Sequence, residues 1–262
     1  MTGMSSELRT RAIVGVVLIL VALAALFSGG FLFWMLLSVA GVLMQGEWGD
    51  LTGATPENRK LAMFAVSVPL AILCPVAAGV SWLAFTLMAA AFFFVALVGR
   101  SIRLALGVPY IVVPVMALLF LREQAPNLQG LLLTLWALGL VWATDIGAYF
   151  AGRSIGGPKL APRVSPSKTW AGLGGGVLAA LTVGFLLHRF ADLPVQLAAA
   201  SGLLAVAAQL GDLLESWMKR RAGVKDSGTL LPGHGGVMDR LDGVVAAAPL
   251  AAICYMILVQ LP

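Results

Sequence analysis

The chain has 262 residues, of which 60% are hydrophobic and only 11% charged, and it carries a net charge of +5. Typical soluble domains are about 25% charged, and the mean hydropathy here is +0.96; together these values exclude a disordered chain, a coiled coil and an ordinary cytosolic enzyme. The bilayer is the remaining solvent, and the sequence predicts an all-α fold, a polytopic integral membrane helix bundle.

Polar residues 1–11 precede a first apolar run that ends near Phe27. A cleaved signal peptide would need a shorter apolar core and a small-residue cleavage site. Ser28-Gly29-Gly30 instead leads directly into a second apolar run, which predicts a retained first helix and a tight glycine turn. Nine apolar stretches long enough for transmembrane helices follow one another at about 11–28, 30–46, 61–79, 81–99, 104–121, 128–151, 171–190, 194–215 and 243–261. Threading nine spans with the N-terminus in the cytoplasm puts fifteen of the seventeen Lys and Arg residues on the cytoplasmic side. Only Arg122 and Arg189 fall on the far side, a strong positive-inside asymmetry. The basic excess therefore reads as loop anchoring and contact with anionic lipid rather than as a nucleic-acid footprint. We divide the chain into an N-terminal scaffold, residues 1–126, with the lipid and dimer contacts, and a C-terminal catalytic region, residues 127–262. Two long polar loops, 152–170 and 216–242, share the cytoplasmic face. Cys74 and Cys254 both lie in apolar runs and define no disulfide framework. The run Gly172-Leu173-Gly174-Gly175-Gly176 is expected to serve close helix packing rather than to cradle phosphate.

Acids are scarce, so their positions are informative. Asp145 stands inside the apolar stretch Leu138–Tyr149, where a carboxylate is costly unless paired or wet. A structural ion pair with Arg153 is the alternative to a functional role. Asp212 and Glu215 are three apart at the cytoplasmic end of the eighth span, and Asp239 and Asp242 are three apart at the start of the ninth. That spacing puts each pair on one helix face. Two such pairs at one depth can converge on a cation, and hard oxygen donors without thiolates select Mg²⁺ rather than zinc. For Asp239 and Asp242, capping of a helix N-terminus is the alternative. Lys168, Lys219, Arg220, Lys225 and Arg240 stand among these acids, and acids interleaved with cations suit a metal–polyphosphate substrate. Pro232-Gly233-His234-Gly235-Gly236 is a glycine-rich turn whose histidine can hydrogen-bond a phosphate or protonate a leaving group. His188 reads as interfacial.

These residues match a known pattern. Ser216-Trp217-Met218-Lys219-Arg220, then Lys225-Asp226-Ser227-Gly228, then Leu231 to Asp242 form a 27-residue stretch. It resembles the signature of the phosphatidate cytidylyltransferase (CDP-diacylglycerol synthase) family. A second stretch also resembles that family: Asp145-Ile146-Gly147-Ala148-Tyr149, Gly152-Arg153, Gly156, Lys159-Leu160, Pro162, and Ser165-Pro166-Ser167-Lys168-Thr169-Trp170 with Gly172. The chain departs from the pattern at Ser167, where many relatives carry a second basic residue, and at Ala171, where many carry an acid. The resemblance implies a membrane enzyme that makes CDP-diacylglycerol and pyrophosphate from CTP and phosphatidate. It also implies one or two Mg²⁺ ions, a possible further monovalent ion such as K⁺, and a homodimer. On that reading Asp145, Asp212, Asp239 and Asp242 hold metal. Asp212, Lys219, Arg220, Lys225, Asp226, His234, Asp239, Arg240 and Asp242 are catalytic. Asp145, Tyr149, Arg153, Lys159, Ser165, Lys168, Thr169, Ser216, Gly235 and Gly236 bind substrate. The expected setting is the plasma membrane of a bacterium, with the site on the cytoplasmic side. A CTP-dependent polyprenol kinase and an ion transporter are the competing readings. The kinase would release CDP rather than pyrophosphate; the transporter would need acids near mid-bilayer in inverted repeats, and no such symmetry is present.

Overall fold

The computed structural model describes residues 2–124, 128–231, 233 and 235–261, with side chains described from residue 12 onward and that of Leu128 excepted. The chain is helical nearly throughout. Helix α1 spans Thr2–Ser28, α2 Gly30–Leu51, α3 Pro56–Ile72, α4 Trp82–Val98, α5 Ile102–Ala105, α6 Gly107–Arg122 and α7 Leu128–Ser154. After a short hairpin, β1 Lys159–Ala161 and β2 Ser165–Thr169, come α8 Trp170–Ala191, α9 Val195–Arg221 and α10 Met238–Tyr255, which ends in a wider turn over Met256–Gln260. Each of the nine predicted apolar stretches contains a helix, although in 61–79 the helix ends at Ile72. Among the described residues six segments are long and apolar enough to cross a membrane: Gly30–Leu51, Ile102–Arg122, Gln129–Ser154, Trp170–Ala191, Val195–Arg221 and Met238–Gln260. The protein is an all-α polytopic membrane protein.

Helix ends follow from local chemistry. Gly29 and Gly30, at φ 62° and 47°, make the turn between α1 and α2 that the sequence predicts. Thr55 caps α3 by accepting from the Asn58 amide at 3.3 Å, with Pro56 at the first helical position and Glu57 in the first turn. Thr169 caps α8 in the same way, accepting from Gly172 N at 3.0 Å. Two boundaries move relative to the sequence reading. Helix α9 runs to Arg221, so the residues from Ser216 onward are helical rather than loop. From Ser216 onward no proline or glycine occurs until Gly223, at φ 74°, and Lys219 pairs with Glu215 one turn back at 3.3 Å. Likewise α10 begins at Met238, five residues ahead of the predicted span. Loop 152–170, read from sequence as a long polar loop, contains the antiparallel hairpin, in which Lys159 pairs with Thr169 and Ala161 with Ser165.

The chain divides into two compact units. The first comprises Met1–Leu119 and Arg221–Leu241; the second comprises Phe120–Arg220 and Asp242–Pro262. Segment 221–241, which the sequence places with the C-terminal region, thus belongs with the N-terminal helices. Within the first unit α2 and α3 lie side by side: Trp34 Nε1 donates to Leu70 O at 2.7 Å, and Arg59 bridges Gly46 O and Asp50 at 3.1 Å each. In the second unit small residues let helices approach closely. Gly172, Gly176, Ala180 and Gly184 form a buried stripe along α8. A Cβ added at Gly176 would stand 2.9 Å from Thr144 O on α7, and one at Gly184 2.9 Å from Ala198 O on α9. The glycine run therefore serves packing, as expected.

Candidate active site

The second unit gathers most of the acids singled out by sequence. Helix α9 presents Gln209, Asp212, Ser216 and Lys219 at spacings of three and four, one face of a helix. Gly211 makes that face reachable from α10: a Cβ there would lie 2.5 Å from Asp242 O and 2.8 Å from Ala246 Cβ. With glycine in place the backbones touch, and Asp242 comes into electrostatic range of Asp212. Asp145, from α7, is exposed and feels the charges of both Asp212 and Asp242.

Neutral and cationic groups join these carboxylates. Lys168, at the end of β2, forms an ion pair with Asp212 and donates to Gln209 Oε1 at 3.0 Å. Gln209 is 5% exposed, and its amide nitrogen donates to Asp145 Oδ1 at 3.3 Å. Gln209 therefore connects Lys168 to Asp145. Ser216 Oγ donates to Asp212 Oδ1 at 3.2 Å. On the α10 side, Asp242 Oδ1 accepts from Gly243 N at 2.7 Å, and Lys219, which pairs with Glu215 at 3.3 Å, lies in its field. Four acids against two lysines leave the group net negative, and its donors are hard oxygens, a set suited to a divalent cation of the magnesium kind. Among the described residues no three acids, histidines or cysteines stand at a common ligation distance; the Lys168 ammonium holds Asp212 instead.

The other predicted residues are placed as follows. Arg153 donates to the Tyr149 hydroxyl at 3.0 Å and both side chains are exposed, so the Arg153–Asp145 ion pair weighed from sequence is not what holds Asp145. Lys159 is exposed on β1, Ser165 starts β2, and Thr169 is buried as the α8 cap. Arg220 reaches Val164 O at 3.4 Å.

Within the first unit, Lys225, Asp226 and Arg240 are exposed. Asp239 is engaged by the loop that precedes it: its Oδ2 accepts from Ser227 N at 2.8 Å, Ser227 Oγ at 2.9 Å and Gly236 N at 2.8 Å. The helix-end role weighed from sequence describes this geometry. Gly235, at φ 79°, lies where a Cβ would meet Asp239 Oδ2 at 2.7 Å, and Gly236 is buried. His234 lies outside the described residues. Sequence reasoning passed over two residues, Gln209 and Glu47. Gln209 has no charge to mark it within an apolar helix. Glu47, at the end of the second apolar run, has the look of an interfacial residue; it is 5% exposed and accepts from Ser227 Oγ, Val237 N and Met238 N.

The model of the Cytidylyltransferase family matches residues 9–258. The chain belongs to that family. It is 40% identical over 253 residues to a phosphatidate cytidylyltransferase of Brucella melitensis, covering 94% of this chain and 92% of the relative. It is 37% identical over 268 residues to one of Pseudomonas aeruginosa, covering 94% and 96%. A phosphatidate cytidylyltransferase of Bacillus subtilis is 45% identical over 133 residues, about half of either chain. Membership therefore extends over nearly the whole sequence, including the N-terminal helices in which no motif was read.

Proposed function

We propose that this chain is the enzyme named for those relatives: it transfers the cytidylyl group of CTP to phosphatidate, giving CDP-diacylglycerol and pyrophosphate. The observation that carries the reading is the group Asp145, Asp212 and Asp242 with Lys168 and Lys219, drawn from α7, β2, α9 and α10 in a chain of this family. A phosphate monoester has a second pKa near about 6, so the lipid phosphate is already anionic and needs no strong base. Its oxygen attacks the α-phosphorus of CTP; the new P–O bond forms as the bond to the β-phosphate breaks, and pyrophosphate leaves. The difficulty is charge, because two anions must meet and more charge builds on the leaving group. Lys168 and Lys219 supply ammonium groups at the carboxylates, and Arg220, Lys225 and Arg240 are the further exposed cations assigned to phosphates. Gln209 holds Lys168 and Asp145 in fixed relation. Asp145, Asp212 and Asp242 would hold Mg²⁺, which when bound screens the approaching anions and stabilises the leaving pyrophosphate. Asp239 shapes the loop that carries Lys225, Gly235 and Gly236.

The setting belongs to the same proposal. The N-terminus faces the cytoplasm, nine spans cross a bacterial inner membrane, and the site opens to cytosolic CTP and to lipid headgroups of the inner leaflet, the chain acting as a homodimer. The positive-inside asymmetry supports this orientation. The test is purified protein in detergent with phosphatidate, Mg²⁺ and CTP labelled at the α- or the γ-phosphorus. Label from the α-position in lipid and from the γ-position in pyrophosphate is expected; γ-label in lipid would contradict the reading and indicate a kinase.

A further inference from the structure

Glu47 stands near the C-terminal end of α2, about 180 residues before the loop it contacts. It is 5% exposed, and a carboxylate so buried is costly unless donors satisfy it. Three do, and all belong to the signature segment: Ser227 Oγ at 3.1 Å, Val237 N at 2.8 Å and Met238 N at 2.8 Å. The two amides lead into α10, where the helix dipole favours a negative group. The segment closes tightly on this carboxylate. A Cβ at Gly228 would lie 2.9 Å from Glu47 Oε1, and one at Gly236 2.6 Å from Oε2. Ser227 links the two acids: its N–H donates to Asp239, and its hydroxyl, with one hydrogen to give, stands 3.1 Å from Glu47 Oε2 and 2.9 Å from Asp239 Oδ2.

We propose that Glu47 is a positioning residue for cytidylyl transfer: from a helix outside the signature it clamps Ser227 and the Val237–Met238 backbone in their working positions. The proposal rests on the function argued above, in which Lys225 and Arg240, the cations that flank segment 227–239, handle phosphate. Glu47 touches the loop backbone and not the reacting atoms. A glutamine would place an N–H₂ group among N–H donors, and an alanine would leave the Val237 and Met238 amides unanswered.

The test uses the full-length protein in detergent with Cys74 and Cys254, both buried, replaced by alanine and a reporter cysteine at exposed Leu230. Glu47→Gln and Glu47→Ala should remain folded yet lose about a hundredfold in kcat, the scale of a small misplacement of reacting groups. Maleimide should label the reporter about tenfold faster as the loop opens locally. Glu47→Asp, which keeps the charge, should recover part of both. Ser227→Ala, which leaves the two amide donors in place, should show smaller shifts in the same direction and serves if the Glu47 variants do not fold. A role in folding alone would lower thermal stability and leave kcat per folded molecule and labelling unchanged; that result overturns the proposal. Asp242→Asn, assayed alongside, separates the two ideas. If it is inactive while Glu47→Gln turns over normally, the clamp is wrong. If Asp242→Asn turns over normally, the catalytic reading falls and takes the proposal with it.

Discussion

Two sets of carboxylates in this chain are satisfied in different ways. Asp145, Asp212 and Asp242, in the second unit, act mainly on one another and on side-chain cations and amides. Glu47 and Asp239, in the first, are bound by backbone N–H groups and one serine hydroxyl of the same loop. The lesson is one of exchangeability. A backbone amide cannot leave a carboxylate without unfolding the turn that bears it, whereas a lysine side chain can rotate away when a stronger cation arrives. Asp212 and Lys168 keep 28% and 15% of their side-chain surface accessible, against 5% for Glu47. The first set is built to change partners; the second is built to hold shape.

Substitutions sharpen that contrast. The largest effect is expected at the exchangeable set: Asp145→Asn and Asp212→Asn should each lower CDP-diacylglycerol formation by about a thousandfold, roughly 4 kcal/mol of barrier, while thermal unfolding in detergent barely moves. A large loss of stability without loss of turnover would erase the distinction. Lys168→Met should cost about a hundredfold, with Lys168→Arg recovering part of it because the charge remains; steady-state kinetics with CTP varied would show it. Gln209→Leu, which cuts the connection between Lys168 and Asp145, should cost about tenfold. At the shape-holding set, Asp239→Asn should mainly speed proteolysis of segment 222–237, with a smaller fall in turnover. Gly147→Leu should leave the chemistry intact in whatever protein folds but destabilise α7 against α8 by about 1–3 kcal/mol, since even a Cβ there would lie 2.6 Å from Ala179 Cβ.

How much of this was legible beforehand depends on charge. Asp145 stood out because a carboxylate in an apolar run has no cheap explanation, Asp212 and Asp242 because each has a second acid three residues away on one helix face, and the structure brings these three together. Gln209 did the same structural work without a charge and left no mark on the hydropathy pattern. Glu47 carried a charge but sat at the end of a span, where acids are ordinary; its role depends on a loop about 180 residues away, a pairing that no local pattern encodes. The glycine run 172–176 was readable as close packing because small residues let helices approach; the stripe that continues through Ala180 and Gly184 emerges only in the structure. The hairpin at 159–169 was not, since Lys-Leu-Ala and Ser-Pro-Ser-Lys-Thr show neither alternation nor β-branched enrichment. The α9 terminus was misplaced because Ser216 to Arg221 is polar enough for a loop, yet contains nothing that stops a helix.

The most direct measurement of the central claim is turnover of purified Asp242→Asn across a Mg²⁺ titration, beside the unaltered chain. The account predicts a folded protein whose rate stays about a thousandfold down at Mg²⁺ levels that saturate the unaltered enzyme. Near-normal turnover at ordinary Mg²⁺ would contradict it.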